Sequence, residues 1–182
     1  MTKDYLVLSD THGRSHLLGQ VAKKLCFRPA AILFLGDGLK DLDALEDIPS
    51  LRDVPVHAVS GNCDSFFSFR ESEPPTRIVP AGNHRIFLTH GHLYGVRGGI
   101  AAAMQNAIAA GADVLLYGHT HVATEYIYAH HYTDEAGVAR EKHILIANPG
   151  SLGEPRDGGP HRFGVLTLTD GGAIFGHGEV DY

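Results

Sequence analysis

A chain of 182 residues is long enough for one domain with a sizeable core, and 43% hydrophobic against 20% charged residues excludes a disordered chain. A net charge of −6 argues against general nucleic-acid binding, which leans on a basic surface, but leaves room for a small phosphorylated substrate. No apolar stretch approaches a membrane span, "MTKDYLVLSDTHG" meets Asp10 too soon for a signal-peptide core, and two cysteines, Cys26 and Cys63, make no disulfide framework. The expectation is a reduced, cytoplasmic protein of one domain over residues 1–182, with no membrane partner. The 13 histidines and 22 glycines point to a site rich in imidazole and tight turns.

In chain order, "DYLVLSD" predicts a strand and Ser15 to Leu25 a helix with Ser15 as its cap. "AAILFLGD" predicts a second strand, Asp41 to Asp47 a short helix, and "VPVHAVSGN" a third strand. "SFFSFRESEPP" reads as a loop, and "TRIVPAGNHRIFLTHG" as two strands about Ala81-Gly82-Asn83. An alanine-rich helix follows from Gly98 to Ala110, then the strand "ADVLLYGHTH". Two hairpins close the chain, one around Glu135-Ala136-Gly137 and one around Asp170-Gly171-Gly172. Early βα alternation followed by hairpins predicts an α/β protein with mixed or antiparallel strands.

The strand ends carry the chemistry. After "YLVL" stands Ser9-Asp10-Thr11-His12, after "AILFL" Gly36-Asp37-Gly38, and after "VHAVS" Gly61-Asn62-Cys63-Asp64. After "IFLT" stands His90-Gly91-His92, and after "VLLY" Gly118-His119-Thr120-His121. In open α/β sheets ligands sit beyond the carboxyl ends of strands, and glycine there lets the backbone turn and approach closely. Taken alone, His119 and His121 are compatible with a structural pair held by a carboxylate or backbone group, or with a metal. Five strands that each end in a possible ligand favour the metal. Asp10, His12, Asp37, Asn62, His90, His119 and His121 offer mixed nitrogen and oxygen donors without thiolate, which suits Mn, Fe, Zn, Co or Ni better than Ca or Mg. Seven donors exceed one tetrahedral ion and suit two ions sharing a carboxylate. Such a pair, roughly 3.5–4 Å apart, clamps the attacking and leaving oxygens of an in-line displacement.

The ordered set D-x-H, GD, GN, H-x-H and GHTH resembles the calcineurin-like metallophosphoesterases, and within them the small YfcE-type phosphodiesterases. The likeness runs from Asp10 to about Ser151, including "NPGS" at Asn148 to Ser151. It implies a four-layer αββα sandwich of two mixed β-sheets flanked by helices. It also implies that Asp10, His12 and His121 hold one metal, that Asn62, His90 and His119 hold the other, and that Asp37 bridges both. Asp37, Asn62, Cys63 and His90 are the residues it places at the reacting centre. Most of the wider superfamily carries GNH, whose histidine aids the leaving group or contacts the phosphate. Cys63 stands there, as in the YfcE-like branch, or is simply a small buried residue packed under the site.

Cys26 reads as helix core, and Asp64 as a residue that holds the Asn62 loop or orients a ligand. His92 reads as a support or a substrate contact. Phe66, Phe67 and Phe69 are a solvated loop or a rim over the substrate. Arg97 meets a phosphate at a helix start or is an ordinary surface arginine. The remaining histidines read as surface or packing residues. The expected activity is metal-dependent hydrolysis of a small phosphodiester by a hydroxide bridging two divalent transition-metal ions. Mn2+ comes first, with Ni2+, Fe2+, Zn2+ or Co2+ as alternatives. A phosphomonoesterase or nucleotide pyrophosphatase is the nearest rival. A protein-binding scaffold with a vestigial metal site, like the retromer subunit that resembles this fold, is the rival from another class. A homodimer or homotetramer is a further expectation.

Overall fold

Successive side chains of a strand point to opposite faces, and β1 (Lys3–Leu8) buries both of its faces. Tyr5 and Val7 join one hydrophobic cluster, and Leu6 and Leu8 another. β2 (Ile32–Phe34) divides likewise, Leu33 going to the first cluster and Ile32 and Phe34 to the second. Strands buried on both faces need cover on both sides, which explains their unbroken apolar runs. The structure is a computed structural model and describes residues 2–64 and 73–181.

The cover comes from two sheets and two helical layers. β3 (Val56–Ala58), β9 (His161–Thr169) and β10 (Gly172–Val180) complete a first sheet in the order β10-β9-β1-β2-β3. β4 (Thr76–Ala81), β5 (His84–Thr89), β6 (Val114–Tyr117), β7 (Ala123–Thr133) and β8 (Ala139–Pro149) form a second, in the order β4-β5-β6-β8-β7. Both sheets are mixed: β1, β2 and β3 run parallel with β9 and β10 in antiparallel pairing on one side, and β5, β6 and β8 run parallel between the antiparallel edge strands β4 and β7. Val7, Leu33, Leu35 and Val59 meet Ile86, Leu88, Val114 and Leu116 between the sheets. Outside the first sheet, Leu17, Leu18 and Val21 of α1 (His16–Lys24) pack with Leu39, Leu42 and Leu45 of the 3-10 helix Leu39–Asp47. Outside the second sheet, Ala103 and Ala107 of α2 (Ala101–Ala109) cover Leu115, Ile144 and Ile146. This is the αββα sandwich, and among the described residues no helix is long and apolar enough to cross a membrane.

All three expected hairpins are present. The helices differ in detail. Ser15 holds the N-terminal cap position of α1, but its backbone is already helical and its hydroxyl makes no capping bond. The segment expected from Asp41 is a 3-10 helix that starts earlier, at Leu39. α2 starts at Ala101 rather than Gly98, because Gly99 has φ +145° and cannot enter a helix. It ends where Gly111 N donates to Ile108 O and Ala112 N to Ala107 O, with Gly111 left-handed. Cys26 is a correction: it is exposed, because α1 ends at Lys24 and Leu25 is already extended. The expected Phe66, Phe67 and Phe69 rim lies outside the described residues.

Candidate metal centre

Every candidate ligand follows the C-terminal end of a strand. Asp10 and His12 follow β1, Asp37 follows β2 and Asn62 follows β3, all in the first sheet. His90 follows β5, and His119 and His121 follow β6, in the second. Among the described residues, the non-glycine residues with positive φ are Asp10, His12, Asp37, His119 and His121, at +46° to +67°. A left-handed backbone costs a non-glycine residue about 1 kcal/mol or more and persists only where the surroundings impose it. Glycine makes room beside them: a Cβ on Gly61 would lie 2.1 Å from Asp37 Oδ1, and one on Gly118 2.1 Å from Ser9 Oγ.

One donor set is Asp10, His12 and His121. His121 Nδ1 donates to the Glu154 carbonyl at 2.6 Å, so its Nε2 presents a lone pair unless the ring is doubly protonated. That Nε2 stands 3.1 Å from Asp10 Oδ1 and 3.2 Å from His12 Nε2. Asp10 Oδ2 accepts the Ser9 hydroxyl at 2.5 Å and the His119 N–H at 3.1 Å, whereas buried Oδ1 has no hydrogen-bond partner. Acceptors this close repel one another, and only a shared proton or cation relieves them. Donors about 2.1 Å from one ion stand roughly 3.0–3.4 Å apart, so the two shortest contacts fit a first-row transition ion.

The other set is Asp37, Asn62, His90 and His119. His90 Nδ1 donates to the Leu35 carbonyl at 2.7 Å and aims Nε2 at Asn62 Oδ1 (3.2 Å), His119 Nδ1 (3.2 Å) and Asp37 Oδ2 (3.3 Å). Asp37 Oδ2 also lies 3.9 Å from His12 Nε2, so one oxygen faces both sets, while Oδ1 accepts the Cys63 N–H at 2.7 Å. All seven expected ligands therefore converge. Burial works to raise the Asp37 pKa, but its bond to His90, that ring's charge and the Cys63 N–H outweigh it and hold the carboxyl below the usual range. Burial works to lower the His90 pKa, and the Asp37 hydrogen bond with the Asp10 and Asp37 charges raises it on balance. His119 is lowered to about 4, first by burial and then by the neighbouring His90 and Arg97 charges.

The ligand loops are pinned by side chains that are not ligands. Asp64 accepts the backbone N–H groups of Asp37, Gly38, Leu39 and Gly61 at 2.7–2.9 Å, tying the β2 and β3 loops together. Asn148 donates to the Gly118 carbonyl and to Thr120 Oγ1, both at 3.0 Å, and holds the His119–His121 turn. Ser151 donates to the Asp10 carbonyl at 2.8 Å. Asp41, unmarked in the sequence reading, accepts Thr11 Oγ1 at 2.5 Å and the Gly13 N–H at 2.9 Å, bracing the His12 loop. Its one signal was a carboxylate close behind Gly36-Asp37-Gly38.

Cys63 is exposed rather than packed beneath the site, and its Sγ lies within ligand distance of the His12 and Asp37 donor atoms. Burial of the sulfur, then the Asp37 hydrogen bond and neighbouring carboxylates, raise its pKa to about 11, so it is a thiol. His92 packs beside the second set, with ring centroids 5.3 Å from His90 and 6.2 Å from His119. Arg97 lies in the turn before α2, and its Nη2 donates to the His119 carbonyl at 3.4 Å. His84, His161 and His177 each direct a ring nitrogen to a backbone carbonyl, as packing residues do.

A two-sheet αββα sandwich with histidines and carboxylates gathered beyond its strand ends is the architecture of the metallophosphoesterases. The family described as the calcineurin-like phosphoesterase superfamily domain matches residues 4–171, and the chain belongs to it. The probable metallophosphoesterase YsnB of Bacillus subtilis is 31% identical over 92% of this chain and 86% of its own length. The phosphodiesterase YfcE of Escherichia coli is 36% identical over 61% of this chain, a stretch that spans 52% of YfcE. Among solved structures, a predicted phosphoesterase of Streptococcus pneumoniae superposes with a TM-score of 0.68 at 22% identity, covering 98% of this chain and 99% of that one. Vps29 of Entamoeba histolytica, complexed with zinc, gives 0.63 at 22% identity, covering 97% and 98%. These two likenesses establish the fold alone. The chain is thus a phosphoesterase-family protein whose donor set suits divalent metal ions.

Proposed function

We propose that the protein hydrolyses small phosphodiesters with two divalent transition-metal ions, Mn2+ foremost and Ni2+, Fe2+, Zn2+ or Co2+ as alternatives. The observation that carries this reading is Asp37 Oδ2, which faces His90 Nε2 at 3.3 Å and His12 Nε2 at 3.9 Å, between two separate donor sets. Asp10, His12 and His121 hold one ion, Asn62, His90 and His119 the other, and Asp37 joins them. Bound there, the ions supply Lewis acidity at the phosphoryl oxygens and lower the pKa of an attacking water for in-line displacement.

The chain's own residues set the geometry. The carbonyls of Leu35 and Glu154 fix the tautomers of His90 and His121, so each presents Nε2 inward. Asn62 Nδ2 bonds Cys63 Sγ at 3.2 Å, which turns the amide oxygen toward the His90 side. Cys63 serves as a mouth residue and not as a covalent nucleophile, because two ions that already activate water leave a phospho-cysteine little to contribute. The complete donor set, held on five left-handed non-glycine residues, supports an enzyme over a protein-binding scaffold of this fold. The test is turnover by purified protein across a matrix of metals and esters that includes diesters, monoesters and dinucleotides. Diester turnover that needs added metal is expected. A protein inactive on every ester with every metal overturns the reading.

A further inference from the structure

The rim of the centre carries a positive charge that the metal ligands do not use. Arg97 is exposed in the turn between the 3-10 helix His92–Tyr94 and α2, and the one bond its guanidinium makes among the described residues is to the His119 carbonyl at 3.4 Å. Arg14, the arginine nearest in sequence to His12, is committed elsewhere: Nη1 bonds the Gly153 carbonyl and lies 3.4 Å from Glu154 Oε1. Arg97 has no carboxylate partner among the described residues, although the chain's acidic residues outnumber its basic ones by 21 to 15. The turn that bears it is closed by Gly98 N to Gly95 O at 2.8 Å and Gly99 N to Val96 O at 3.3 Å, so the side chain projects from a fixed base.

We propose that Arg97 reads a second negative charge on the substrate, so that the preferred substrates are dianionic phosphoesters. The inference rests on the two-metal reading above. Two divalent ions set against Asp10, Asp37, a hydroxide nucleophile and a monoanionic diester leave no net charge at the reacting centre. Arg97 adds one positive charge at its edge, which a plain diester leaves unmatched and a dianion meets. A planar guanidinium suits this role, because it pairs with phosphate oxygens through two parallel N–H bonds. The second charge has two sources with the same chemistry: a second phosphate attached to a diester, which keeps the proposed activity, or the scissile phosphoryl group of a monoester, which shifts it to the monoesterase alternative.

The test compares kcat/KM of wild type, Arg97→Gln, Arg97→Lys and Arg28→Gln, all loaded with Mn2+ to equal content. Three esters are used: bis(p-nitrophenyl) phosphate, p-nitrophenyl phosphate, and a dinucleotide with a terminal phosphate. Arg97→Gln is expected to lose about tenfold more on a dianionic ester than on the plain diester, with Arg97→Lys recovering part of the loss. Arg28, exposed between α1 and β2 away from the strand ends that bear the site, is the control, and its variant keeps the wild-type ratio. The dianionic ester that responds identifies the source of the second charge. An unchanged ratio in Arg97→Gln overturns the inference and leaves the two-metal reading standing. A wild type inactive on all three esters counts against the phosphodiesterase reading, which the full matrix of metals and esters decides, and a calorimetric titration of inorganic phosphate into the Mn2+-loaded proteins then decides the role of Arg97. About tenfold weaker phosphate binding by Arg97→Gln supports Arg97 as an anion reader, and equal affinity overturns it.

Discussion

Asp37 divides its two oxygens, Oδ1 to the Cys63 N–H and Oδ2 to donors on both sides. Asp37→Ala therefore removes the shared ligand and the charge that offsets repulsion between two cations. Elemental analysis of this variant should find neither ion retained, with turnover reduced by about a hundredfold or more. Cys63→Ser is expected to keep its metal and most of its turnover on an activated diester, because a metal-activated water, not the cysteine, is the nucleophile. Loss of turnover with metal retained, together with a phosphorylated cysteine in wild type by mass spectrometry, contradicts that. The two histidines of the second set respond to pH in opposite senses. His119, lowered to about 4, is already neutral in the neutral range, whereas His90, raised by the carboxylates, must give up a proton to a metal. Activity should therefore fall on the acid side as protons return to His90, and excess metal should move that midpoint lower. A pH–rate midpoint that ignores metal concentration counts against ligand protonation as the cause. In the metal-free chain, His119 contributes stability that is present above about 6.5 and lost as pH falls toward its folded value. His90 contributes stability present below about 6.5 and lost as pH rises through its raised value, so their joint contribution peaks near there.

The loops at the strand ends are stabilised by few contacts, several of them charged. Asp64 alone accepts backbone N–H groups from Asp37, Gly38, Leu39 and Gly61. Asp64→Ala leaves these donors short of a partner and should destabilise the metal-free protein by on the order of 3 kcal/mol in denaturant unfolding. Asn148→Ala frees the His119–His121 turn and should weaken metal binding about 10–100-fold in a chelator competition. Much of this level was legible in the chain. The apolar runs of β1, β2, β5 and β6 end abruptly in a glycine or a polar ligand, and strand periodicity is a strong local signal. The helix ends were less legible. Ser15 has the right identity for a cap but not the backbone, and the start of α2 depends on the dihedral of Gly99. The position of Cys26 turned on one residue of helix length at Leu25. Asp41 escaped notice because its partners, Thr11 and Gly13, lie about thirty residues upstream.

At the scale of the molecule, the ligands come from both sheets, and the partition of strands between the sheets was not legible. β9 returns from the far end of the chain to pair with β1, Tyr5 against Leu166, and no local pattern announces such a partner. The convergence of Asp10, His12, Asp37 and Asn62 with His90, His119 and His121 was legible only through the ordered motifs. Ions held between the sheets should tie them together. At a hundredfold excess over Kd each ion adds about 2.7 kcal/mol, or roughly 5–10 °C in Tm for a protein of this size. Scanning calorimetry with and without chelator measures this, and Asp37→Ala should abolish the shift. A wild type whose Tm ignores the chelator contradicts metal binding across the sheets. The most direct measurement is metal content per chain at saturation, followed by elemental analysis while diester turnover is recorded on the same samples. The account predicts two ions per chain and turnover that rises with occupancy of the second; at most one ion at saturation, or turnover indifferent to metal content, contradicts it.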